Sequence, residues 1–211
     1  MDQQSALAPL IATRMCHDLA SPVGAVANLA DMLRDTVDDQ AADDLAMLCK
    51  TAERSTALLK FFRLVLGSRA ASEPGISAKT FIDLAQCQAI PRRIEVEIRT
   101  RAETLTAEQA QMMGLLLMVG VSLVGLRGQV IVTLPDRPGD LPTVQAMGEK
   151  AALSPEKREI LMGGQVDHAT PGLIEFMLLA DLLGGTQIAV EEEPGRIQLA
   201  MLHQLGESPA A

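Results

Sequence analysis

Two apolar stripes of heptad spacing, separated by a short acidic segment, restrict the fold of this chain more than any other feature. Along residues 5–34 and again along residues 40–67, apolar side chains return at alternating intervals of three and four residues. This spacing keeps them on one face of an α-helix, so each stretch is predicted to be a helix with an apolar seam. The seam residues are Ala12, Cys16, Leu19, Val23, Val26, Ala30 and Leu33 in the first stretch, and Leu45, Leu48, Ala52, Ser55, Leu59, Phe62 and Leu66 in the second. Residues 35–39 predict a turn and therefore an antiparallel helical hairpin.

Both helices carry more apolar side chains than one partner helix can cover. The surplus residues are Leu7, Leu10 and Ile11 in the first helix and Leu58, Phe61 and Val65 in the second. Two hairpins pairing as a four-helix bundle would bury them, so we predict a homodimer in which residues 1–68 form the dimerisation unit. The alternative is that the rest of the same chain covers the surplus stripe.

The remaining two thirds of the chain follow a different pattern. Residues 69–76 are rich in small residues and have the composition of a linker. Residues 77–211 alternate between helical and strand patterns, which predicts an α+β unit. Its predicted elements are a helix over 77–90, a strand over 93–99, a buried helix capped by Thr106 and running to about 126, strands over 128–134 and 143–147, helices opened by Ser154-Pro155 and by Thr170-Pro171, and a hairpin of strands 186–192 and 196–202.

Composition argues against several kinds of partner. Eighteen basic and 27 acidic residues give a net charge of −9, and the chain has no Trp or Tyr, so nucleic acid is not expected as a ligand. The longest apolar run, residues 112–126, is interrupted by glycines and is short for a membrane span. The first four residues lack the positive charge of a secretory signal. We expect a cytoplasmic protein that binds neither nucleic acid nor membrane.

The number and spacing of the three cysteines are those expected in a reducing compartment such as the cytoplasm. Cys16, Cys49 and Cys87 have no metal-ligand spacing and are odd in number, which favours reduced thiols. We interpret them as packing residues.

One histidine lies on the side of the first helix away from its seam. At about 100° per residue, His17 is roughly 160° from Leu19. Arg14, Ser21, Gly24 and Asn28 share its face, which gives the imidazole a basic neighbour and small residues on the adjoining turns. An exposed histidine is by itself usually a solvated polar residue.

Pro22 adds a second unusual feature five residues after His17. Proline inside a helix removes a backbone donor and costs about 3 kcal/mol, so a compensating role is expected. The pattern His17-Asp18-x-x-x-Pro22 resembles the phosphoacceptor box of two-component histidine kinases and of ChpT-type histidine phosphotransferases, and Arg14-Met15-Cys16-His17-Asp18 is closest to the latter. The resemblance implies that His17 carries a phosphoryl group.

The second unit resembles the ATP-binding domain of histidine kinases, a Bergerat-type α/β sandwich. Residues 171–176 and 183–190 look like that family's last helix and the strand after it. Those kinases place paired asparagines on the helix that corresponds to residues 112–126, whereas the single asparagine of this chain is Asn28. Residues 148–151 replace the Asp-x-Gly-x-Gly stretch expected after strand 143–147, and no Gly-x-x-x-x-Gly-Lys loop occurs. We therefore predict a degenerate, nucleotide-incompetent domain.

An acceptor histidine joined to such a domain is the pattern of ChpT-type phosphotransferases. The resemblance implies that His17 accepts a phosphoryl group from a receiver aspartate of a hybrid kinase and passes it to response regulators, with Mg²⁺ on the receiver and no cofactor of its own. Arg14, one turn before His17, would either hold phosphoryl oxygens or face the acidic pocket of the receiver, the alternative being an ordinary surface arginine. Ser21, Pro22, Gly24 and Asn28 would adjoin the docked receiver. In kinases the acidic neighbour, here Asp18, helps to deprotonate the histidine, but at the next position it points about 100° away.

Two other functions remain open at this point. One is a divergent ATP-dependent histidine kinase, and the other is a non-catalytic dimeric adaptor in which His17 is never phosphorylated. His168 and His203 are interpreted as surface or packing residues, since one precedes a predicted helix cap and the other ends a predicted strand.

Overall fold

A computed structural model describes residues 3–35, 41–67, 75–89, 93–136, 141–164, 169–184 and 186–202. Two long helices come first, α1 (Gln3–Asp35) and α2 (Ala41–Leu66), and they pack against each other as a hairpin. Helix α1 continues through both Pro9 and Pro22. The predicted helical hairpin is confirmed, although the turn at 36–40 lies outside the described residues.

An α/β sandwich follows the hairpin. Its elements are β1 (Ile76–Ser77), α3 (Ala78–Ala85), a 3₁₀ turn (Gln86–Gln88), β2 (Arg93–Arg99), β3 (Thr104–Leu105), α4 (Ala107–Val124), β4 (Arg127–Thr133), β5 (Thr143–Met147), α5 (Pro155–Leu161), a 3₁₀ turn (Pro171–Leu173), α6 (Ile174–Leu183), β6 (Gln187–Glu193) and β7 (Arg196–Leu202). The predicted order of a helical hairpin followed by an α/β sandwich is confirmed, while the loss of nucleotide binding stays a prediction. The predicted boundaries 1–68, 69–76 and 77–211 stay a prediction, since residues 68–74 are not described.

Five strands form a mixed sheet in the order β2-β4-β5-β7-β6. Strands β2 and β4 are parallel, with Val96 opposite Val130, and the other neighbours are antiparallel. A parallel pair needs a crossover connection, which α4 provides. The two-residue strands β1 and β3 pair separately, and the sequence pattern did not predict them.

Helix α4 is the centre of the core. Thr106 caps it in a reciprocal pair with Gln109, and its side chains are buried nearly all round. It is long and apolar enough to cross a membrane, but two thirds of it (67%) is buried inside the protein, which is the ordinary situation of a core helix.

The hairpin rests on this core through α2. Leu58, Phe61 and Val65 are 8%, 0% and 1% exposed and belong to the same buried cluster as α4 and the sheet. The prediction that the surplus stripe needs a second hairpin is therefore wrong for α2. The sandwich of the same chain covers that stripe, because it offers a larger apolar surface than a single helix.

The heptad seam is only partly covered. Val23, Leu45 and Leu59 are 55%, 52% and 51% exposed, and Ala12, Cys16 and Ala30 are exposed as well, whereas Phe62 is fully buried. Instead, α1 buries Pro22 and Leu29, which lie on the neighbouring face of the helix.

Candidate functional site

The His17 side chain projects from α1 into solvent, with 83% of its surface exposed. Ser21, Gly24 and Asn28 are exposed on the adjoining turns of the same face. A Cβ added at Gly24 would have open space around it, with no atom of another part of the described chain within 4 Å. The imidazole is therefore open to another macromolecule along one side of the helix.

Asp18 lies against the imidazole despite its position on the helix. Its Oδ1 is 3.0 Å from Nδ1 of His17. A carboxylate only accepts hydrogen bonds, so the tautomer that makes this contact carries its proton on Nδ1 and keeps a lone pair on Nε2. The expectation that Asp18 points away was wrong, because both side chains bend toward each other after their Cβ atoms diverge.

Arg14 completes a short chain of contacts on the preceding turn. Its Nε donates to Oδ2 of Asp18 at 2.9 Å, and its side chain is 16% exposed. Its Nη1 is also 3.9 Å from Oε2 of Glu175 in the sandwich. Arg14 is thus a paired side chain at the junction between hairpin and sandwich, and not a free surface arginine.

Pro22 is buried, so in this arrangement a docked partner would not contact it directly. Its ring lines a cleft, and as a proline it cannot donate to the carbonyl of Asp18. The Asp18 carbonyl, next to His17, therefore lacks the usual helical hydrogen bond.

The cleft lies beside His17, between the hairpin and the sandwich, and has a volume of about 560 Å³. Apolar side chains form much of its wall, and Nε of Arg54 is buried without a hydrogen-bond partner in the described part of the chain. The lining residues are Arg14, His17, Asp18, Ser21, Pro22, Ala25, Thr51, Arg54, Leu58, Cys87, Gln88, Met118, Val121 and Leu126.

The three cysteines differ in solvent exposure. Burial raises the pKa of the Cys87 thiol to about 11, which keeps it protonated at neutral pH. Cys16 and Cys49 are exposed, so the interpretation of all three as packing residues holds within this chain for Cys87 alone.

The second half of α4 has a single polar side chain. Between Met112 and Val124 this is Ser122, whose hydroxyl accepts from Nζ of Lys157 at 3.1 Å. Magnesium is bound through carboxylates, amides and phosphate oxygens, and this stretch of α4 carries neither carboxylate nor amide side chains. That the unit binds no nucleotide stays a prediction.

Glu175 in α6 is a fully buried carboxylate that was not predicted from the sequence. The sequence does mark it as unusual, because it is a lone acidic residue within the apolar run 173–180. Such a residue is seldom buried without a cation, which is here supplied by Arg14. His168 and His203, interpreted above as surface or packing residues, lie outside the described part of the chain, so that interpretation stays a prediction.

Comparison with known proteins gives one local and one global similarity. The protein phosphotransferase ChpT of Brucella abortus (strain 2308) is 35% identical over 74 residues, which cover 35% of this chain and 34% of that protein. The match thus spans about a third of the length of this curated relative. No family model matches the chain.

The solved structure of a bacterial phosphotransferase superposes with a TM-score of 0.75 over 96% of this chain and 98% of that chain, at 19% identity. The two chains therefore share a fold from hairpin to sandwich. The histidine kinase AdeS of Acinetobacter baumannii gives a TM-score of 0.43 at 11% identity over 88% of this chain and 95% of that chain, a value too low to carry an argument.

Proposed function

We propose that this chain, a ChpT-type protein by its local sequence match and its fold, is a histidine phosphotransferase that relays phosphoryl groups between receiver domains. One observation carries the proposal. His17 is open to solvent while Asp18 holds Nδ1, so the nucleophilic Nε2 is presented outward.

The transfer itself is a displacement at phosphorus. The Nε2 lone pair of His17 forms an N–P bond while the P–O bond to the receiver aspartate breaks, and that carboxylate leaves with the electron pair. Asp18 stabilises the positive charge that develops on the ring by accepting from Nδ1. Attack by the aspartate of a second receiver reverses the step and restores the imidazole.

The other groups that the transfer needs would be supplied by the receiver domain. Phosphoryl transfer depends mainly on positioning and on charge stabilisation, and we propose that the receiver brings the magnesium ion for both steps. The chain then needs no cofactor of its own, and it acts in the cytoplasm where receivers are found.

The direct test is transfer from a phosphorylated receiver domain. Incubation with such a donor should give an acid-labile, base-stable phosphate on His17, seen as a phosphoramidate by ³¹P NMR. Labelling by ATP alone, without a receiver, would instead support the divergent kinase. Absence of labelling from every phosphorylated receiver tried would favour the adaptor.

Gly24 provides a test of where the receiver docks. Gly24→Leu adds a side chain beside His17 at a position where a Cβ has open space, and leucine favours the helix more than glycine does. We expect stability to be kept while the transfer rate falls about tenfold to a hundredfold, because misplacement by an ångström can cost about a hundredfold. Stopped-flow or gel-based single-turnover rates measure the effect.

Ala46→Leu is the matched control for Gly24→Leu, since residue 46 is exposed on α2. It should leave the rate unchanged. Equal rates for the two variants would exclude docking along the Ser21–Asn28 side of α1.

We further propose that a second copy of this chain covers the exposed seam. Val23 on α1 and Leu45 and Leu59 on α2 are each more than half exposed, and together with exposed Ala12 and Ala30 they continue the heptad spacing of both helices. Matching seams on two antiparallel helices favour a self-complementary four-helix bundle. In α1 the seam lies about 120° from the His17 face at Val23, so dimerisation leaves the acceptor free.

Charge placed in the seam should separate the copies. The pair of substitutions Val23→Glu and Leu59→Glu is expected to convert a dimer into a monomer in sedimentation equilibrium, because two copies would bury four carboxylates. Met47→Glu, at 60% exposure on another face of α2, is the control and should leave the dimer intact. A wild-type monomer at tens of micromolar would contradict the dimer.

A further inference from the structure

A carboxylate in the sandwich is buried next to the acceptor helix. Glu175 in α6 is 0% exposed, and neither of its oxygens makes a hydrogen bond of ordinary geometry in the described part of the chain, although the Ser122 hydroxyl and a backbone N–H lie near enough to lower its pKa. Its neighbours Ile174 and Phe176 are also fully buried. Burying a carboxylate with so few hydrogen bonds is unfavourable, so nearby cations are expected to offset the cost.

Two cations face this carboxylate from different elements. Nη1 of Arg14 on α1 lies 3.9 Å from Oε2 of Glu175. Lys157 on α5 donates to Ser122 of α4, lies 4.9 Å from the ring centroid of Phe176, and attracts the carboxylate through space. Burial raises the pKa of Glu175, and the Arg14 cation opposes that rise more than any other charge.

The same guanidinium reaches the acceptor site. While Nη1 faces Glu175, Nε of Arg14 donates to Asp18, and Asp18 contacts Nδ1 of His17. A chain of charged and polar contacts therefore runs from a fully buried carboxylate in the sandwich to a largely exposed imidazole on the hairpin. Arginine is suited to this because its planar fork can serve two carboxylates at once.

We propose that Glu175 is a positioning residue for the phosphotransfer proposed above: through Arg14 it holds Asp18 against Nδ1 of His17. The Asp18 carboxylate contacts Arg14 at Nε, and Glu175 adds a second carboxylate near Nη1 at the far end of the same guanidinium. Two partners restrict the orientation of the guanidinium plane more than one does. In this way the sandwich contributes to the geometry around His17.

Glu175→Gln tests the inference because glutamine keeps the shape and removes the charge. In the unphosphorylated protein, ¹⁵N shifts of the His17 ring report which nitrogen carries the proton. We expect the Nδ1–H tautomer to lose population in the variant, and single-turnover transfer from a phosphorylated receiver to slow about tenfold. Asp181→Asn, the same charge change at an exposed position on α6, should alter neither quantity.

The tautomer measurement separates the two proposals. If wild-type protein accepts no phosphoryl group but Glu175→Gln shifts the tautomer, the phosphotransfer function fails while the positioning contact stands. If wild-type protein transfers normally and Glu175→Gln changes neither tautomer nor rate relative to Asp181→Asn, the positioning role is overturned.

Coupling to Arg14 gives a further check. Arg14→Lys keeps a cation but loses the fork, and in that background Glu175→Gln should add no further change in the tautomer. Additive changes would show that Glu175 does not act through Arg14. If Glu175→Gln fails to fold, Glu175→Asp replaces it: its carboxylate is one methylene further from Arg14, and an unchanged tautomer would overturn the inference.

Discussion

Glutamine in place of His17 is expected to abolish phosphotransfer, with a loss of at least about a thousandfold in the single-turnover rate from a phosphorylated receiver. The amide has no nitrogen lone pair able to form the N–P bond. Because the His17 side chain is 83% exposed, the free energy of unfolding should stay within about 0.5 kcal/mol of wild type. Circular dichroism during urea unfolding checks the second part of the expectation.

The other two histidines of the chain serve as chemical controls. His168→Gln and His203→Gln should transfer at the wild-type rate. A His17→Gln protein that still passes phosphate between two receivers would contradict the assignment of the acceptor. Loss of transfer in all three variants would point to a general effect of histidine removal.

Alanine in place of Phe61 is expected to have the largest effect on stability, a decrease of about 3–5 kcal/mol in the free energy of unfolding. Phe61 is fully buried in the cluster that joins α2 to the sandwich, with its ring centroid 6.4 Å from that of Phe62. Its removal would leave a cavity at the junction between the two units. Urea unfolding followed by circular dichroism measures the loss.

Leu59→Ala, two residues earlier on α2, is the matched control. Leu59 is 51% exposed, so its truncation should change the unfolding of the monomer little and act instead on the association of copies. A small loss for Phe61→Ala together with dissociation of a dimer would contradict the arrangement in which the sandwich covers this face.

The order of helices and strands could be predicted because it depends on local signals. Each of these signals sets a helix end or a turn within a few residues. They are the capping pair Thr106–Gln109, the serine and proline that begin α5, and the glycines with positive φ at 184 and 195. The paired strands β1 and β3 have two residues each, too few for any periodicity to mark them.

Which helical face is buried could not be predicted in the same way. A heptad pattern shows that a face is apolar but does not identify what covers it. In α2 the stripe of Leu58 and Phe61 contacts the sandwich, while the neighbouring seam residues Leu45 and Leu59 stay exposed. The choice depends on the apolar surface of α4, which lies about 50 residues further along the chain.

The geometry of the candidate site could be predicted in part. The position of His17 and its exposed neighbours follow from helical geometry, which is regular. The contact between Asp18 and Nδ1 depends on side-chain torsions, and the approach of Glu175 to Arg14 joins positions 161 residues apart in sequence. Neither is encoded in local spacing.

The close contact between α4 and α2 bears on the rate of the proposed phosphotransfer. A Cβ at Gly114 would overlap Cγ2 of Val65, and Gln111 of the same helix donates to the Val65 carbonyl at 3.1 Å. Sliding α2 along α4 by one helical turn would bring Gln111 or Leu117, in place of Gly114, against Val65, and their side chains leave less room than glycine. The close packing therefore favours one position of the hairpin on the sandwich. Under the proposed function, the speed of the relay would then depend on how quickly receivers arrive and depart, and not on any internal rearrangement of the carrier.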